Sequence, residues 1–327
     1  MIRNTLLASV LVLGSLHAMA AGAPRAFTYS VVARDPVTGE MGVAVQSHWF
    51  SVGSVVPWAE AGVGAVATQS FVEPSYGPLG LALMKTGKTA PEALRSLLAG
   101  DPGAAVRQVA MVDARGGVAA HTGENCIPAA GHSTGPQYSV QANLMESPQV
   151  WPAMAKAFEE SKGDLAERML AALQAAQAAG GDIRGMQSAA ILVVRGTSTG
   201  RPWADTVFNL RVEDSPEPLS ELRRLVRLQR AYNHASAGDE HAAAGKMDQA
   251  LREYGEAARL APEVLELPYW EAVALASNGR LEEALPIFRD VFAKEPQWAD
   301  LTPRLPAAGL LPKDPELLRK ILSQVEP

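Results

Sequence analysis

Cysteine is nearly absent: Cys126 is the only one in 327 residues. A disulfide needs two, so the fold rests on its core and not on covalent staples. No neighbouring residue marks that thiol as reactive, and it reads as a buried small hydrophobe. Basic runs are also missing, and the formal net charge is −6; both argue against nucleic-acid binding. His121, Cys126 and His132 lack the C-x-x-C or helical H-x-x-x-H spacing of a metal site, so no metal is expected. The glycines of "GVGAV" (62–66) have no strand–loop–helix context, and a phosphate cradle or other cofactor site is not expected either. Beyond residue 16 no apolar run approaches the ~20 residues that a membrane-spanning helix needs.

What is present begins at the N-terminus. Arg3, the apolar run "TLLASVLVLGSL" (5–16) and the small-x-small triplet Ala18-Met19-Ala20 have the form of an export signal cut after Ala20. The expected product is a periplasmic or secreted protein with residues 1–20 removed. Apolar residues make up 47% of the chain and charged residues 20%, enough for a substantial core.

The pattern predicts a hairpin over 26–49, strands at 52–58 and 62–71, and helices at 76–87 and 89–100. Thr89 and Glu92 should form a capping box on the second helix. Strands follow at 106–113, 118–123 and 138–145. Next come helices at 147–163, with Ser147 as N-cap, and at 164–181, capped by Asp164 and Glu167. Strands at 187–196 and 205–212 close the domain. Strand groups alternating with helix pairs imply an α+β fold, and two sheets face to face between helix pairs would bury every apolar face. That is a four-layer αββα sandwich, assigned to residues 21–213.

Residues 214–220, "DSPEPLS", read as a linker. Beyond it Gly245 recurs as Gly279, Ala250 as Ala284, Tyr254 as Phe288 and Pro262 as Pro296, each 34 residues on. This is the spacing of tetratricopeptide repeats. Residues 221–327 are therefore expected to be a small all-α domain, with a lead-in helix at 221–232 and a last helix started by Asp314 and Pro315. Such a unit would pack on the first domain and serve a protein partner.

In the first hairpin, Asp35 and Glu40 flank a Pro-Val-Thr-Gly turn, which places Thr28 directly opposite Ser47 on one face of the sheet. Tyr29 and His48 then point to the other face. A Thr–Ser pair at an open hairpin end, near the surface, is either a hydroxyl pair with a chemical role or an ordinary cross-strand contact.

The stretch "TYSVVARDPVTGEMGVAVQSHWFSVGSVVPWAEAGVGAVATQSFVEPSYGPLG", with "DPGAAVRQVAMVDARGGVAAHTGENCIPAAGH", "YSVQANLM" and "AAGGDIRGMQSAAILVV", resembles the domain-of-unknown-function-1028 family. That family is grouped with the N-terminal-nucleophile (Ntn) hydrolases. The resemblance covers about residues 27–196. It implies an αββα sandwich and hydrolysis of a small amide or peptide, with Thr28 as nucleophile and its own freed α-amine as base. It further implies that Ser47 is a polar partner, that Asn143 donates to an oxyanion or simply caps a strand end, and that Asp182, Arg184, Gln187 and Ser188 form a supporting loop. Met186 and Ala129 depart from the residues usual in the family. Residues 21–27 precede Thr28 after signal removal, so a second cut between Phe27 and Thr28 is required. The alternative is a non-catalytic exported binding module. Homo-oligomerisation stays open.

Overall fold

A computed structural model describes residues 25–325. The expected export signal lies outside them. The described chain divides into two compact units, one running to Arg223 and the other starting at Arg224.

The first unit is a mixed α+β structure built on two antiparallel sheets. Strands β1 (Arg25–Ala26), β4 (Pro57–Glu60), β5 (Gly64–Phe71), β6 (Arg107–Asp113) and β7 (Val118–Thr122) form one sheet, in the order β1-β5-β6-β7 with β4 also on β5. The other holds β2 (Thr28–Arg34), β3 (Met41–Ser47), β8 (Gly131–Gly135), β9 (Tyr138–Ala142), β10 (Ser188–Val194) and β11 (Thr206–Val212), in the order β11-β10-β3-β2-β9-β8. Helices α1 (Tyr76–Lys85) and α2 (Ala90–Gly100) lie against the first sheet; α3 (Val150–Glu160) and α4 (Leu165–Ala178) lie against the second. Strands of the two sheets pack on each other. The layer between them is apolar at one end, where Val32, Val43, Val45, Ala65, Ala67, Val112 and Ala190 share a buried cluster. Toward Thr28 it turns polar.

Local signals account for many boundaries. Asp35 closes the β2–β3 turn, its carboxylate accepting from the amides of Val37 (2.8 Å) and Thr38 (2.9 Å). The register then pairs Thr28 with Ser47, as expected. The Thr89–Glu92 capping box is complete, and the Asp164 side chain accepts from the Glu167 amide.

Other expectations give way to tertiary context. Residues 52–58 do not form one strand: Val52–Ser54 is a 3-10 turn, and pairing starts only at Pro57, where proline's missing N–H is tolerated at a strand's first position. The helix expected from Ser147 begins at Val150 with Gln149 at its N-cap. The Ser147 hydroxyl instead accepts from the Gln149 amide (3.2 Å), forming a small turn. The strand expected over 138–145 stops at Ala142, because Leu144 turns into the left-handed region at φ 60°. Strand β1 takes Ala26 out of the expected hairpin and pairs it with Ser70 of the other sheet, and β8 has no counterpart among the expected elements. The first is two residues long, and the second, Gly-His-Ser-Thr-Gly, is a half-exposed edge with no apolar alternation.

Gly42 illustrates how closely the second sheet is built. A Cβ there would overlap the Leu192 carbonyl oxygen and the Val193 side chain on β10. Gly42→Ala should lower stability by about 2 kcal/mol, read as a lower denaturation midpoint. An unchanged midpoint would mean the strand pair is looser than its geometry.

The second unit is helical. The expected lead-in helix is far longer than 221–232: α5 spans Pro218–Ala243, taking in the last three residues of the expected linker. It is followed by α6 (Met247–Leu260), α7 (Glu266–Ser277), α8 (Leu281–Lys294), α9 (Gln297–Leu301), α10 (Leu305–Ala308) and α11 (Pro315–Leu322). The 34-residue spacing has structural counterparts. Gly245 (φ 70°) and Gly279 (φ 76°) both end a helix in the left-handed conformation that glycine adopts without strain. Ala250 and Ala284 are both fully buried, and Tyr254 and Phe288 are both buried. Gly238 lets α5 approach α6, since a Cβ there would lie 2.6 Å from the Tyr254 ring. Asp314 caps α11 by accepting from the Glu316 and Leu317 amides. No helix among the described residues is long and apolar enough to cross a membrane.

Candidate active site

Thr28 opens β2 at the polar end of the inter-sheet layer. Expected near the surface, it is fully buried, as is Ser47 beside it on β3. The Thr28 hydroxyl donates to the Ala26 carbonyl (2.7 Å) and lies 3.1 Å from the Ser47 hydroxyl. Ser47 in turn donates to the Phe27 carbonyl oxygen at 2.6 Å. A second donor reaches the same oxygen: Arg184 Nη2, at 2.9 Å. The carbonyl just ahead of Thr28 therefore sits between a hydroxyl and a guanidinium, one hydroxyl away from the Thr28 oxygen.

Asp182 holds Arg184 in that position. Its buried carboxylate accepts from Arg184 Nε (3.0 Å), Nη2 (2.7 Å) and backbone amide (2.9 Å), and from the His48 amide at 3.3 Å. The guanidinium also lies 5.2 Å from the Phe27 ring centroid, within cation–π range. Ser188, in register with Ser47 on the next strand, faces a different task. Its hydroxyl donates to the Trp49 carbonyl and accepts from the Val52 amide, shaping the turn after β3. Gln187 bonds the Asp214 carboxylate at 3.1 Å, away from Thr28.

Asn143 approaches the carbonyl of Thr28 and not that of Phe27: its amide N–H accompanies the side-chain NH₂ there, at 3.1 and 3.4 Å. The same side chain donates to Gln108 (2.8 Å), and its own Oδ1 is buried without a partner. Gln69 also donates to the Thr28 carbonyl (3.2 Å) and to Gln108 (2.7 Å), while Gln141 and Gln69 share the Ser30 hydroxyl. Sequence pattern alone does not point to this amide cluster. Its signal is one Gln each in "VATQS", "VRQVA" and "SVQAN"; Gln69 and Gln108 share strand faces with Ala and Val, and Gln141 shares its face with Ser139 and Asn143.

The backbone is strained where these side chains attach. Ser70 (φ 73°) follows Gln69, and Leu144 (φ 60°) follows Asn143. Non-glycine residues in this region cost of order 1–3 kcal/mol each and tend to sit at functional sites.

His121, Cys126 and His132 do not converge. His121 Nε2 lies 2.8 Å from the Ala104 carbonyl, His132 Nδ1 lies 2.8 Å from the Thr122 hydroxyl, and the Cys126 thiol donates to the Arg107 carbonyl. Burial pushes that thiol's pKa up, against smaller opposing contributions from Ser70 and the Gly123 backbone. Among the described residues there is no group of three or more His, Cys, Asp or Glu that could hold a metal.

Residues 28–222 match the family of unknown function DUF1028, and the match opens on Thr28 itself. The chain belongs to this family. A crystal structure of a DUF1028 protein from Silicibacter pomeroyi is similar at 30% identity and a TM-score of 0.56, over 62% of this chain and 88% of that one. No curated protein matches. Strand β1 and Phe27 thus lie just ahead of the DUF1028 domain, and α6–α11 lie beyond it.

Proposed function

We propose that this DUF1028 chain is an exported Ntn-type hydrolase of amide or peptide bonds, with Thr28 as its nucleophile once the Phe27–Thr28 bond is cut. The observation that carries the reading is the Phe27 carbonyl oxygen, held by Arg184 and by Ser47, whose hydroxyl lies 3.1 Å from that of Thr28. Two donors on a carbonyl oxygen are what a tetrahedral oxyanion needs. The layering of two sheets between helix pairs supports the αββα sandwich of that class. Residues 1–20 support export, and the helix pairs 34 residues apart support a tetratricopeptide-like tail for a protein partner.

The contacts support a route for cleavage in the continuous chain. The Thr28 oxygen attacks the Phe27 carbonyl carbon, giving its proton to Ser47, which passes its own to the carbonyl oxygen. Arg184 stabilises the negative charge that this oxygen carries before the proton arrives. The C–N bond then breaks, the nitrogen takes a proton back, and Phe27 is left as an ester on Thr28. Water hydrolyses the ester to a Phe27 carboxylate, a free hydroxyl and a free α-amine. That amine, with an ordinary pKa of about 7.7–8.0, becomes the base that earlier was absent from the hydroxyl's surroundings. It takes the Thr28 proton for attack on a substrate amide and returns it to the leaving amine.

The complete burial of Thr28, with its nitrogen in a peptide bond, favours the second reading: a non-catalytic binding module that keeps the same fold. Intact-mass measurement and N-terminal sequencing of protein recovered from the exporting cell separate the two. The expected terminus is Thr28. A terminus fixed ahead of Phe27, with no conversion on incubation, would overturn the enzyme reading.

A further inference from the structure

The residues ahead of Thr28 are not packed arbitrarily. Ala26 and Arg25 pair antiparallel with Ser70 and Phe71, adding a two-residue strand to the edge of β5. Ala26 is fully buried in the apolar inter-sheet cluster. Phe27 is only 7% exposed. Its ring meets Phe71 edge-on, with centroids 5.7 Å apart at 83°, and the Arg184 guanidinium lies 5.2 Å from its centroid. One arginine therefore contacts both the ring and the carbonyl of the same residue.

We propose that β1 and Phe27 occupy the acyl-side subsite of this enzyme. Its substrates are then extended peptides with an aromatic residue on the carbonyl side of the bond cut and a small residue before it. The inference rests on the reading of Thr28 as a nucleophile freed by cleavage. Once residues 25–27 leave, β1 no longer covers the β5 edge at Ser70–Phe71, where the Phe71 carbonyl still accepts from Arg107 (2.7 Å), and the place of the Phe27 ring between Phe71 and Arg184 becomes an aromatic-sized slot. A strand edge beside a side-chain slot binds extended peptides by strand addition: backbone pairing supplies affinity and the slot supplies selectivity. A substrate seated in this way puts its carbonyl oxygen where that of Phe27 lies, against Ser47 and Arg184. The leading segment is thus both the first substrate of the site and its plug.

The test has two arms. In the first, full chains carrying Phe27→Tyr, Phe27→Ala or Phe27→Asp are compared with the unmodified protein for the rate of Phe27–Thr28 scission, by time-resolved intact mass. Scission within about threefold for Tyr and at least about tenfold slower for Ala and Asp is expected, tenfold corresponding to the smallest aromatic preference worth ~1.4 kcal/mol. Because Phe27 is buried and its replacement costs stability, the second arm leaves the protein unaltered. The processed protein, dialysed free of its leading segment, is titrated with N-acetyl-Arg-Ala-Phe and N-acetyl-Arg-Ala-Ala. The aromatic peptide should bind at least about tenfold tighter. Equal binding, or binding of neither, overturns the subsite even if Thr28 has been freed. Absence of scission in the unmodified protein instead overturns the nucleophile reading, and this inference with it.

Discussion

Thr28→Ala should abolish scission at Phe27–Thr28 and, with it, all amide turnover, a loss of about 10⁴-fold or more, as when a covalent nucleophile is removed. The fold should survive. The substitution removes a buried hydroxyl that bonds the Ala26 carbonyl and touches Ser47, and leaving such acceptors unsatisfied costs about 1–3 kcal/mol. Circular dichroism and a denaturation midpoint measure that cost separately from rate. Thr28→Ser keeps the oxygen and should restore most of the activity. Ser47→Ala takes away one donor and the proton relay but not the attacking atom, so it should slow scission by about 10²–10³-fold. Hydrolysis in trans has a further signature. The α-amine must be neutral to accept the proton, so kcat/KM should rise as pH passes upward through about 7.7–8.0. Retention of scission by Thr28→Ala, or a Ser47→Ala defect larger than that of Thr28→Ala, would exchange or remove the roles assigned to the two hydroxyls.

Arg184→Gln should combine a slower scission, by about 10²–10³-fold, with a loss of about 3 kcal/mol in stability. The rate falls because the guanidinium no longer meets the developing oxyanion on Phe27. Stability falls because the fully buried Asp182 carboxylate loses its counter-charge while keeping only the amide bonds from His48 and residue 184. Adding Asp182→Asn removes the uncompensated charge. The double variant should recover part of the stability and none of the rate, a separation that a double-mutant cycle resolves. Parallel recovery of both would show that Arg184 acts only by holding the loop.

Local chemistry in the sequence determined a good deal of this protein. The Asp35 turn, whose carboxylate accepts from the Val37 and Thr38 amides, fixes the register of the β2–β3 hairpin, since hairpin register follows from the turn and loop length. That register alone makes Thr28 and Ser47 neighbours. Thr89, Asp164 and Asp314 mark helix starts because a side-chain oxygen satisfies amides two or three residues on. The 34-residue repeat is legible for a similar reason, each position being set by the next helix of its own pair. The tertiary structure alone decided what surrounds Thr28. Arg184 reaches the Phe27 carbonyl across 157 positions, and Gln69, Gln108 and Asn143 come from three separate segments to one polar layer. No period or spacing in the chain encodes such meetings. The pairing of β1 and the existence of β8 are invisible in the sequence on the same grounds, because an edge strand is defined by the neighbour it pairs with and not by alternation of its own. The partner of the Thr28 hydroxyl depends on that pairing too: the strand laid on β5 just ahead of it supplies the Ala26 carbonyl that the hydroxyl bonds.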